Sequence, residues 1–129
     1  MGFILEPRTV GDDFIINGWN WRPIVSFLVR EAVIPHGERS ERCLANGCGG
    51  YLTEPEAIRA AAKADDLIMK MKPESRMLYN GEITDRPIDS QKPVSEWNDS
   101  DTWNHYSARY AALKAFSEFC KRSGGFVVH

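Results

Sequence analysis

The sequence predicts an α+β fold in which three main helices pack with a small sheet formed by short strands near the termini. Three observations carry that expectation. A capping motif precedes an alanine-rich helical period at Thr53, and an aromatic stripe at helical spacing runs toward the C-terminal end. Short apolar runs at residues 3–5, 14–16 and 126–128 have strand character. With 129 residues the chain is long enough for one domain over 1–129 with a core that needs no disulfide or metal.

In the opening helix, Trp19-Asn20-Trp21-Arg22-Pro23 offers Asn20 as a cap and a proline in the first turn. Ile24, Val25, Leu28, Val29 and Ala32 form its apolar side, so it is expected to reach about Ala32 before Val33-Ile34-Pro35-His36-Gly37 breaks it. Residues 36–51 read as a glycine-rich loop. The middle helix begins with Thr53-Glu54-Pro55-Glu56, where a hydroxyl and a carboxylate each meet an orphan amide. Ala57, Ala61, Ala64, Ile68 and Met71 follow at helical spacing, and the helix is expected to end before Pro73. Alanines let a neighbour come close but anchor little, so large side chains must arrive from another element.

Met77 to Thr84 carries Asn80-Gly81, the preferred pair for a two-residue hairpin turn. The polar stretch at about 85–99 contains Pro87 and Pro93, has neither period, and reads as a long loop. The last helix is expected to start near Ser100 or Asp101 and to carry Trp103, Tyr106, Tyr110, Leu113, Phe116 and Cys120 on one side. Gly124 suits the left-handed position that ends it.

Composition excludes several functions. A formal charge of −2 with mixed signs gives no concentrated basic face, so nucleic acid is not an expected partner. The first residues have no basic leader and an apolar run far too short to span a membrane, which predicts a cytoplasmic protein with no membrane partner. Three cysteines cannot all pair within one chain, and Cys43, Cys48 and Cys120 are read as reduced thiols.

Two segments together carry a resemblance. Trp19-Asn20-Trp21-Arg22-Pro23, and the closing run from Phe116 through Phe119-Cys120, Ser123-Gly124-Gly125 and Phe126, are similar to a family of uncharacterised bacterial proteins. That family has a Trp-x-Trp-Arg-Pro opening helix, and its middle helix falls where the alanine-rich one does here. The resemblance implies a shared fold and a bacterial source, and it brings no known activity. Some relatives carry a zinc-ribbon insert of Cys-x-x-Cys knuckles before the last helix. Residues 77–102 here hold no cysteine, so that zinc role is not carried over.

Candidate chemistry is sparse. Cys43 and Cys48, with His36 upstream, are the low-probability candidates for a metal or a catalytic thiol, although the spacing is loose and no second ligand pair follows. Gly47, Gly49 and Gly50 lack the phosphate-loop pattern and read as turn glycines. Asn98, Asp99, Asp101, Asn104 and His105 gather metal-competent atoms, but acidic residues suit a helix start without any ion. Trp103 is expected in the core. Trp19 and Trp21 point to different sides of a helix, so one of them reaches the surface beside Arg22. Trp97 lies in the polar loop, where it either folds back or is offered to a partner. Trp19, Arg22 and Trp97 are therefore the candidate binding residues of a non-enzymatic interaction module, regulatory or immunity-type, with another protein as partner and no cofactor. The alternative is a small enzyme or metal protein centred on His36, Cys43 and Cys48.

Overall fold

The computed structural model describes residues 2–87, 93–99 and 105–129. It bears out the α+β class and adds a second sheet. Strands β1 (Gly2–Pro7), β2 (Phe14–Asn17), β3 (Gly50–Leu52) and β7 (Phe126–Val128) form an antiparallel sheet in the order β2-β1-β7-β3. Strands β4 (Arg76–Leu78), β5 (Ile83–Thr84) and β6 (Ser107–Arg109) form the other, in the order β5-β4-β6. Alternation fixes the registers: Phe3, Leu5 and Pro7 face the core while Gly2, Ile4 and Glu6 face out.

Four helices are described: α1 (Gly18–Arg30), α2 (Glu38–Leu44), α3 (Glu54–Ile68) and α4 (Tyr110–Ser123). The cap of α1 is Asn17, whose side chain accepts the Asn20 amide at 2.9 Å, and not Asn20 as expected. Pro23 therefore sits beyond the first turn and deprives the Trp19 carbonyl of its i+4 donor. The helix stops at Arg30 because the chain turns left-handed at Ala32, with φ 57°. Val33 then donates to Leu28 and Ala32 to Val29, the bond pair of a Schellman ending that normally places glycine where Ala32 stands.

The expected loop over 36–51 is corrected, since it contains α2 and β3. Ser40 closes the start of α2 through bonds with the Gly37 amide and carbonyl, and Cys43 on the inner side is fully buried. The packing of α2 on β3 depends on Gly50, where a Cβ would lie 2.4 Å from the Cys43 amide nitrogen. Helix α3 keeps the expected capping box, with the Glu56 carboxylate accepting the Thr53 amide at 2.9 Å. An Arg39–Glu56 ion pair joins α2 to α3. Ala57, Ala60, Ala61 and Ala64 are buried, and the partner they admit is α4, which supplies Leu113 and Phe116. Ser117 and Lys121 of α4 bond Asp65 of α3 from the same side, at 2.5 and 2.8 Å.

The last helix does not run from 100. Ser107–Arg109 is a strand paired with β4, and α4 begins at Tyr110, whose amide donates to Ser75. Tyr106 belongs to no helical stripe with Leu113, because the strand between them changes the direction of successive side chains. Trp103, Ser100 and Asp101 lie outside the described residues. The hairpin at 76–84 is present, but its loop is the longer three-residue kind: Gly81, at φ 96°, donates to Leu78, and the Leu78 amide bonds Glu82.

Trp21 stands at the centre of the core. It is fully buried, its ring lies 5.7 Å from Phe116, 6.4 Å from Phe3 and 6.5 Å from Phe126, and its indole N–H donates to the Cys43 carbonyl at 2.7 Å. That carbonyl is among the last four of α2, which lack donors within the helix. Replacing Trp21 with Phe keeps a ring but leaves the carbonyl without its donor, and should cost about 1–3 kcal/mol in urea unfolding. Stability unchanged within about 0.5 kcal/mol would show that the indole bond contributes nothing. At Ala32, glycine should stabilise by about 1 kcal/mol by the same measurement, since it relieves the left-handed cost of a Cβ.

Candidate functional site

Two residues along a helix turn the side chain by about 200°, so the burial of Trp21 sends Trp19 outward. Trp19 remains 41% exposed, the surface tryptophan that the spacing had implied. It is held in place by other rings. Tyr106 lies 4.5 Å from it, Trp97 5.8 Å in edge contact, and His105 6.3 Å. Trp97 and His105 stack on each other at 3.8 Å and 23°, and Tyr79 braces Tyr106 at 6.3 Å. The rings come from the first turn of α1, from the residue after the short 3₁₀ turn Val94–Glu96, and from the residues just before β6.

Between these elements lies a cleft of about 500 Å³, lined by Asn17, Trp19, Asn20, Val94, Trp97, His105, Ser107 and Arg109. Its polar end is built by the capping network of α1. Asn20 donates through its amide to the Asn17 side chain and accepts the backbone N–H of Arg109, each at 2.9 Å, so the helix start is tied directly to β6. Ser107 is 2% exposed, and its Oγ has no hydrogen-bond partner among the described residues. A buried hydroxyl without a partner costs on the order of 1–3 kcal/mol. The guanidinium of Arg109, exposed two residues along the strand, adds a cation at the same end.

Of the binding candidates read from the sequence, Trp19 and Trp97 are brought together here. Arg22 is placed elsewhere: its guanidinium lies over the Phe3 ring at 6.0 Å, and its buried Nε has no partner among the described residues. Asn98 and Asp99 are exposed beside Trp97, whereas Asp101 and Asn104 fall outside the described residues. Ser107, Arg109, Asn17 and Asn20 were not among the candidates. Only the Asn-rich approach to Trp19 hinted at them, since asparagines seek local backbone partners.

The thiol candidates separate. Cys43 is buried on α2 and burial pushes its thiol up to about 11, with Arg39 opposing and Glu56 assisting. Cys48 and His36 are exposed. Cys120 is buried in α4, and burial raises it too. Gly47 and Gly49 have φ of 79° and 75°, which is the turn role expected of them. Among the described residues, no three His, Cys, Asp or Glu side chains group as metal ligands, and no helix is long and apolar enough to cross a membrane.

No family model, curated protein or solved structure matches the chain. The Trp-x-Trp-Arg-Pro resemblance thus rests on its own residues.

Alkylation at pH 8 should place one adduct on the folded protein, at Cys48, and three after unfolding. Rapid modification of Cys43 in native buffer, detected by mass spectrometry, would contradict its burial.

Proposed function

We propose that this protein is a non-enzymatic interaction module of the bacterial cytoplasm, regulatory or immunity-type, that takes a projecting segment of another protein between Trp19 and Trp97. The observation that carries this reading is the half-exposed Trp19 ring, fixed by its aromatic neighbours at the edge of a cleft. Tryptophan held rigid beside a pocket is the commonest kind of binding anchor, because its area is large and little entropy is lost when it is covered. A cleft of about 500 Å³ is in the range that receives one or two side chains. Of the two thiols in the catalytic alternative, Cys43 is raised to about 11 by burial and carries little thiolate at neutral pH, whereas Cys48 is exposed.

A photo-crosslinking amino acid at Val94, exposed on the rim of the cleft, tests the reading in cells of the source organism. One discrete protein adduct is expected, absent when the crosslinker is moved to Met69 and reduced at least about tenfold by Trp19→Ala, as for a hot-spot residue. An adduct insensitive to Trp19→Ala, or none from Val94, would remove the proposal.

A further inference from the structure

The aromatic cleft does not end at Arg109. The same side chain lines a second cleft of about 430 Å³, together with Arg76, Arg86, Glu74 and two prolines. Three arginines therefore surround one concavity. Arg76 and Arg109 stand directly opposite in the β4–β6 register, and the Arg76 Nε donates to the Arg86 carbonyl at 2.9 Å. Like charges directly opposite across two strands oppose each other. Burial, and then the charges of Arg109 and Arg86, hold the Arg76 pKa below the ordinary guanidinium value.

Neighbouring carboxylates are mostly committed elsewhere. Asp85 accepts the Ser75 hydroxyl at 2.6 Å and pairs with Lys72 at 3.5 Å. Among the described residues, no ion pair reaches the guanidinium of Arg86 or Arg109. Glu74 on the rim is the negative charge among the described residues of this lining, beside the exposed Arg86 and Arg109. A planar guanidinium suits oxyanions because it offers two parallel N–H donors. The alternative concavity, along the first turns of α3, is lined by Thr53, Glu54, Pro55, Glu56, Ile58 and Arg59 alone and has no such convergence from separate elements.

We propose that Arg86 and Arg109 bind an oxyanionic side chain of the partner segment whose apolar side chain fills the Trp19 cleft. This rests on the cleft reading above and gives the partner a chemistry. Ser107, on the floor of the aromatic cleft, and Arg109, at the junction of the two, are alternate residues of one strand, about 7 Å apart. An extended peptide has the same step. The matching motif is thus an aromatic residue and an acidic or phosphorylated one separated by a single residue.

Probe peptides test this on the intact protein: Ala-Phe-Ala-Glu-Ala and its reverse, blocked at both ends, with Glu replaced by Gln or phosphoserine and Phe replaced by Ala. Binding is followed by the NMR shifts of the Trp19 indole and the Ser107 and Arg109 amides. In at least one direction the Glu or phosphoserine peptide should bind at least tenfold more tightly than the Gln peptide. The Arg86→Ala variant should lose most of that preference while still binding the Phe peptides, and Trp19→Ala should weaken all of them. Whichever of Glu and phosphoserine binds more tightly identifies the source of the oxyanion. Equal binding of Gln and Glu peptides, or a preference undiminished in Arg86→Ala, overturns the oxyanion inference alone. Failure of every Phe peptide, or indifference to Trp19→Ala, overturns the cleft reading instead.

Discussion

A single side chain, Trp21, sets the geometry from which the rest follows. Its ring is enclosed by Phe3 of β1, Phe116 of α4 and Phe126 of β7, and its N–H reaches back to the end of α2. The central strands of the first sheet and the last helix thus meet around one indole. The polar atom of that indole has only one place to go, because a buried N–H must find an acceptor. It also removes a difficulty for α2, a seven-residue helix too short to be stable alone, whose terminal carbonyl it satisfies. Fixing Trp21 fixes the rotation of α1, and that rotation alone decides that Trp19 faces the second sheet.

The two sheets are then joined through the start of α1. Asn17 caps the helix and Asn20 spans from that cap to the Arg109 amide, so the N-terminal turn is bolted to β6. Because Asn20 is buried, breaking this link would strand a polar group as well as loosen the aromatic cleft. On the other side of the molecule, α3 contributes closeness more than contacts. Its buried alanines bring α4 near enough for Ser117 and Lys121 to hold Asp65, whose pKa is lowered first by Lys121 and then by Ser117. Charge and packing there serve the same helix pair.

Elements whose stabilising contacts are local were legible in the sequence. Thr53 and Glu56 satisfy each other across one turn, Gly124 adopts φ 65° at the end of α4, and β1 and β7 show as short apolar runs. The failures are non-local. Tyr106, Tyr110 and Leu113 fit a helical step, and Ser107-Ala108-Arg109 has little strand preference of its own. Pairing with Met77 and its neighbours makes it a strand, and that partner is some thirty residues away in the chain. Likewise α2 was hidden by glycines on both sides, although Gly50 is there for the close approach of that helix.

The same distinction accounts for the candidate site. Trp19 and Trp97 could be chosen from the sequence because an exposed tryptophan in a polar setting is anomalous by itself. Ser107, Arg76 and Arg109 become anomalous only once β6 is in place, as a hydroxyl without a partner and two guanidinium groups in register. The hydroxyl opposes folding and is not needed to close the core, which Trp21 and the phenylalanines already fill. The exposed Arg109 guanidinium meets no ion pair among the described residues, and a ligand with a negative charge would supply one. The strand that could not be read locally is therefore the one that carries the proposed recognition.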